Sequence, residues 1–171
     1  MKLRLALAAL VAGAACLAPV AILAAPAPKV AIASLAELPT PLPLPYDESA
    51  DANADVAAGL AKAKATHRLL LVDLGGNWCP DCRLLAALMR QPEVARFVEA
   101  HYVVVTVDVG RFNRNLQIPA RWGVNAVTGA PSILIIDRRG KLIDRDHIKA
   151  LSDARHMTPQ ALADWLASWT N

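Results

Sequence analysis

The sequence predicts an α/β domain, a central mixed β-sheet flanked by helices, reached through an N-terminal extension. Residues 69–74, 102–108 and 132–137 are short runs, β-branched or apolar at nearly every position, as strands covered on both faces tend to be. Helical periodicity separates the first two runs and returns at the end of the chain. Ahead of them, residues 26–45 hold six of the chain's twelve prolines, a composition that neither a helix nor a central strand tolerates.

In chain order, Met1-Lys2-Leu3-Arg4 followed by an apolar stretch over 5–15 has the charged and greasy regions of a secretory signal, assigned here to residues 1–25. A retained membrane anchor is the rival reading, weakened by Pro19 and the many alanines. Cys16 follows small residues and is a candidate lipid-bearing cysteine, although Gly13 stands where a lipoprotein signal usually has Leu. The competing reading is an apolar cysteine removed with the signal. Loss of the signal takes Lys2 and Arg4 and lowers the formal charge from +3 to +1, which excludes a strongly basic nucleic-acid binder. It also leaves Cys79 and Cys82 as one functional pair, too few cysteines for a disulfide scaffold.

Residues 26–45 read as a semi-extended linker, with 30–34 a candidate edge strand, and 46–171 as the folded domain. A helix is expected over 51–65, capped by Asp51 or Asp55, then a buried strand over 69–74. The helical stretch 79–100 is broken at Gln91-Pro92. After the strand 102–108 comes an irregular segment, then the strand 132–137. Arg138-Arg139-Gly140-Lys141 is a charged turn that predicts a returning hairpin strand over 141–147. Thr158-Pro159 opens a last helix carrying Leu162, Trp165, Leu166 and Trp169.

Chemistry concentrates in Trp78-Cys79-Pro80-Asp81-Cys82, where a strand ends and a helix begins. Unpaired amides and the positive end of the dipole at a helix start favour a thiolate. Cys79 at the cap is therefore expected to be the exposed, low-pKa nucleophile, and Cys82, one turn inside, the resolving thiol. Pro80 at the first helical position loses no needed donor and stiffens the turn. Asp81 is expected to repel the Cys79 thiolate and so favour a reducing potential. Half a structural zinc site is the competing reading of a Cys-x-x-Cys, but His67, His101, His147 and His156 are scattered and form no second pair. Haem attachment fails because Arg83 stands where a His is needed.

These residues resemble the thioredoxin superfamily, in particular exported disulfide reductases similar to the C-terminal domain of transmembrane thiol:disulfide interchange proteins. The likeness runs from about Asp51 to Trp169. Leu71-Val72-Asp73-Leu74-Gly75-Gly76-Asn77-Trp78-Cys79 is similar to the family's strand into the active site. Pro92-Glu93-Val94, Tyr102-Val103 and Val107-Asp108 resemble its broken helix and next strand, and Trp122-Gly123-Val124 with Gly129-Ala130-Pro131-Ser132 its approach to a cis-proline.

The resemblance implies a thioredoxin fold and a thiol–disulfide oxidoreductase of exported proteins, periplasmic, with no metal and no organic cofactor. It implies that Asp73 is a buried carboxylate exchanging a proton with Cys82; a solvent-facing strand-end Asp is the plainer reading. It implies that Pro131 is cis and that Ala130 and Pro131, with Trp78 and Pro80, meet an extended substrate chain. Partners would be substrate protein disulfides and an upstream thiol donor, membrane-embedded. Two departures stand out: no Lys lies near Val104 to pair with the buried Asp, and 110–127 is long. The alternative class is a metal-handling or chaperone-like binding module using Cys79 and Cys82 as soft ligands.

Overall fold

The computed structural model describes residues 24–170. Cys16 and most of the signal assigned to 1–25 lie outside these residues. Within them no helix is long and apolar enough to cross a membrane.

Helix α1 (Ala52–Ala65) begins where Asp51 accepts the backbone N–H groups of Asn53 and Ala54. Its buried residues Ala52, Val56, Gly59 and Ala63 recur every three or four positions and so form one stripe. Gly59 lets the helix lie close on the sheet, because a Cβ there would stand 2.5 Å from Val105 Cγ2 and 3.0 Å from Leu70 Cδ1. Strand β1 (Leu69–Gly75) follows, buried at every position after Leu69. Helix α2 (Pro80–Met89) and α3 (Pro92–His101) are separated at Gln91, which Pro92 forces into extended backbone. Strand β2 (Tyr102–Asp108), the short α4 (Gln117–Ala120), β3 (Ser132–Ile136) and α5 (Pro159–Ala167) complete the chain.

The sheet order is β2-β1-β3, with β1 parallel to β2 and antiparallel to β3. Strand alternation divides β1 between two cores. Leu70, Val72 and Leu74 pack under α1 with Val56, Val107, Leu134 and Ile136. Leu71 belongs to the opposite core, with Leu85, Val94, Ile133, Leu162 and Leu166 from the sheet and from α2, α3 and α5. Asp73 and Gly75 share the parity of Leu71, so the end of the central strand delivers a carboxyl and a bare backbone beneath the start of α2.

Three expectations need correction. The return strand over 141–147 reduces to a single bridge, Ile136 with Leu142. Beyond it Asp144 turns a buried carboxylate inward and accepts the Ile135 N–H at 2.9 Å, the bond a strand carbonyl would have taken. The chain then leaves the edge in a 3-10 turn, Arg145–His147, and regains it at Ile148, whose carbonyl accepts the Ile133 N–H at 2.8 Å. Residues 30–34 form no edge strand either. Their amides are taken by side chains of the helices: Val30 donates to Gln160 Oε1 at 3.0 Å and Ala31 to Glu93 Oε1 at 2.8 Å. Finally, the proline-rich run is bound to the domain rather than spaced from it. Leu38 and Tyr46 are buried, and Arg83 of α2 donates to the carbonyls of Leu42 and Pro43 at 2.8 and 3.1 Å.

Candidate active site

Cys79 caps α2 from extended backbone, and its sulfur accepts the Cys82 N–H at 3.2 Å. Its thiol donates to the Ala130 carbonyl, also at 3.2 Å. Ala130 precedes Pro131 through a cis peptide bond. The expected exposure of Cys79 is not found: the residue is 3% exposed and Cys82 is fully buried. The cover comes from the Ala130 loop and from Phe112, which packs against a cluster of Tyr46, Cys79, Cys82 and Ala130. Phe112 reaches this place from left-handed backbone (φ 64°), inside the long segment after β2.

The two thiols are driven apart in acidity. The hydrogen bond with the Cys82 side chain and the Cys82 N–H draw the Cys79 thiol below its ordinary value, against burial and the charge of Asp81. Its bond to Cys79, burial and the nearby Asp73 hold Cys82 well above the ordinary thiol range. Cys79 is thus suited to attack and Cys82 to keep its proton until a buried acceptor takes it.

Asp73 is the carboxyl that lies nearest to that requirement by position. It is fully buried, and burial pushes its carboxyl up to about 7, while a hydrogen bond from Tyr46 pulls the other way. The Tyr46 hydroxyl donates to Asp73 Oδ1 at 2.8 Å, and Oδ2 has no hydrogen-bond partner. Gly75 makes room for this meeting. A Cβ at that position would lie 2.7 Å from both Cys82 Sγ and Tyr46 Cζ.

Pro80 occupies the first helical position and Asp81 the second. The charge of Asp81 does oppose the Cys79 thiolate, as expected, but it is not free: the carboxylate is buried and clasped by Arg155. The Arg155 backbone N–H donates to Oδ1 at 2.8 Å and Nε lies 3.0 and 3.1 Å from the two oxygens, with Nη2 against Oδ2. Burial raises the Asp81 carboxyl, but the Arg155 hydrogen bonds and charge outweigh it and hold it below the usual carboxylate value. Trp78, 37% exposed, faces the long segment: its Nε1 donates to Gly110 O at 2.7 Å. Phe112 meets the indole edge to face at 5.7 Å, and the Arg111 guanidinium lies 4.3 Å from its centroid. Among the described residues no three His, Cys, Asp or Glu side chains converge as a metal set.

The fold therefore brings Cys79, Cys82, Asp73, Pro80, Ala130 and Pro131 together, with Trp78 at the rim. Sequence reading missed Tyr46, Arg155 and Phe112. Each lies far along the chain from the cysteines, in a segment without a motif of its own.

A family model described as thioredoxin-like matches residues 51–138. The crystal structure of a disulphide isomerase from Xylella fastidiosa Temecula1 is 37% identical, with a TM-score of 0.71 and coverage of 76% of this chain and 99% of that one. Thioredoxin H4 of Arabidopsis thaliana is 27% identical over 86 residues; the match takes in 50% of this chain and spans 65% of that relative's length. The oxidised DsbD C-terminal domain of Neisseria meningitidis is 22% identical at a TM-score of 0.41, covering 55% of this chain and 80% of that one.

Proposed function

The chain belongs to the thioredoxin-like family, and from that premise we propose that it reduces disulfides of exported proteins through Cys79 and Cys82. The observation that carries this reading is the position of the Cys79 sulfur, between the Cys82 N–H and the Ala130 carbonyl of the cis-proline loop. Donors already in place at a helix start stabilise a thiolate without reorganisation.

In this scheme the Cys79 thiolate attacks one sulfur of a substrate disulfide. That S–S bond breaks, a Cys79–substrate bond forms, and the departing sulfur takes a proton from water. Cys82, deprotonated toward Asp73, then attacks Cys79 Sγ. The Cys79–Cys82 disulfide forms and the second substrate sulfur leaves as a thiolate that takes a proton from water, so two electrons have passed to the substrate. Ala130, Pro131, Trp78 and Pro80 line the approach and would meet the substrate backbone. A dithiol donor, in this reading membrane-embedded, restores the pair. No metal or organic cofactor enters the scheme. Export, a lipid on Cys16 and a periplasmic location rest on the N-terminal sequence and belong to the proposal.

Reduction of insulin by the purified protein, with metal analysis of the same sample, tests the reading. Turnover without stoichiometric metal supports it; bound metal without turnover favours the metal-handling alternative. A reduction potential near the thioredoxin figure of about −270 mV is expected, and a value above roughly −150 mV would reverse the direction of electron flow. The likeness to a protein described as a disulphide isomerase favours a second reading, in which the reduced pair rearranges disulfides instead of consuming them. Recovery of scrambled ribonuclease with no net loss of dithiol would select it.

A further inference from the structure

We propose that Tyr46 relays the Cys82 proton to Asp73, which makes the proline-rich segment a working part of the redox site. The inference rests on the reading of Cys79 and Cys82 as the redox pair and goes beyond it. Tyr46 lies outside the region 51–138 that the thioredoxin-like model matches.

The problem the relay solves is one of access. Cys82 is fully buried, so its proton has no direct route to water, and a proton moves readily only between groups in hydrogen-bond reach. The Tyr46 hydroxyl meets that condition on the Asp73 side, at 2.8 Å from Oδ1. On the other side the phenol and Cys82 Sγ converge on the space above Gly75, where not even a methyl group fits. A hydroxyl can accept one proton while giving up another. The Cys82 S–H bond breaks as a new Oη–H bond forms, and the original Oη–H bond breaks as Asp73 Oδ1 is protonated. Tyr46 ends neutral, Asp73 ends neutral and Cys82 is the thiolate that attacks Cys79. When a dithiol donor later reduces the Cys79–Cys82 disulfide, the proton returns by the same route.

The clamp on Tyr46 is extensive for a residue that follows four prolines in the eight preceding positions. Its N–H donates to Asn77 Oδ1 at 3.1 Å, and Asn77 Nδ2 donates back to its carbonyl at 2.8 Å. Thr106 Oγ1 of β2 holds the Pro45 carbonyl at 3.0 Å, and Arg83 of α2 holds those of Leu42 and Pro43. Asn77 and Arg83 flank the cysteine pair in sequence, so the segment that carries the phenol is tied to the redox loop itself. The titratable and charged groups that act on the acidity of the site are Tyr46 from the extension, Asp73 from β1, Cys79, Cys82 and Asp81 from α2 and its cap, and Arg155, which pairs with Asp81. Thr106 and Ile133, beside Asp73 in the sheet register, do not titrate.

The test is Tyr46→Phe in the full chain, which keeps the ring and removes the hydroxyl. Removing a donor from a buried carboxylate raises its pKa, so the Asp73 midpoint should move up from about 7 by about one unit. Decay of a preformed Cys79–substrate disulfide should slow about five-fold at pH 7, with its pH profile displaced upward by the same unit. Alkylation of Cys79 should proceed at the wild-type rate, since the attacking thiol does not use the relay. In an Asp73→Asn background, Tyr46→Phe should leave the profile where it is. Should the variant not fold, the wild type and Asp73→Asn decide together: the Tyr46 ring carbon signal must shift with a midpoint near pH 7 in the first and stay flat in the second. Wild-type exchange with an unchanged Tyr46→Phe profile, or a Tyr46 signal that does not follow Asp73, overturns the relay alone. A wild type without any disulfide exchange overturns the redox reading beneath it.

Discussion

Asp73→Asn replaces a fully buried carboxyl by a neutral group of the same shape, and its effect on stability depends on pH in a way the structure lets one calculate. The folded-state carboxyl is pushed up to about 7 by burial, against an ordinary value of 3.8. Between these two values the unfolded chain is ionised while the folded chain still holds its proton. Protonation therefore favours the fold at low pH, and the advantage is lost as pH rises through 7. Three units at about 1.4 kcal/mol each give a loss on the order of 4 kcal/mol from pH 4 to pH 8 that the wild type suffers and the asparagine variant escapes. Tyr46 can still donate to the amide oxygen, while the amide nitrogen takes the place of the unpartnered Oδ2 and costs about 1–3 kcal/mol at every pH. Asp144, whose carboxyl burial raises to about 6, titrates in both proteins and cancels in the difference. Denaturant unfolding of the two proteins at pH 4 and pH 8 measures it. The variant should gain on the wild type by about 4 kcal/mol between the two conditions. An equal difference at both pH values would show that Asp73 titrates in the folded protein near its ordinary value, and the proton-carrier role near neutral pH would fall with it.

Cys79→Ser should abolish disulfide reduction, whereas Cys82→Ser should attack and then stall as a covalent complex visible on a non-reducing gel; trapped complexes in the first variant instead would exchange the two roles. The Asp81–Arg155 pair gives opposite shifts of the reduction potential from its two halves. Asp81→Asn leaves a cation near Cys79, stabilises the thiolate and raises the potential, whereas Arg155→Met leaves the anion and lowers it. Shifts of one sign in equilibration with glutathione would refute the electrostatic account. Phe112→Ala should uncover Cys79 and raise its alkylation rate by iodoacetamide several-fold at constant pH, and an unchanged rate would mean that Phe112 does not guard the sulfur.

The sequence alone determined the layers of this protein and the place of its cysteines, because those depend on local rules. Runs of apolar residues specify buried strands, Asp51 and Pro159 open helices, Pro92 breaks one, and a Cys-x-x-Cys between strand and helix puts one sulfur at a helix cap. The segment over 141–147 has the local pattern of a strand, yet Asp144 carries a carboxylate that competes for the Ile135 N–H, and only the packed edge decides which acceptor wins. The same holds at the active site. Asp81 looks like an isolated charge until the 3-10 turn Ala154–His156 brings Arg155 across 74 positions to neutralise it. Tyr46 looks like the first residue of a domain until Asn77 fastens its backbone, Thr106 holds the Pro45 carbonyl before it, and the phenol meets Asp73. Partners distant in sequence leave no periodic trace, because hydrogen bonds and ion pairs depend on where side chains meet in space. Tertiary structure alone decided the acidity of this site and its cover.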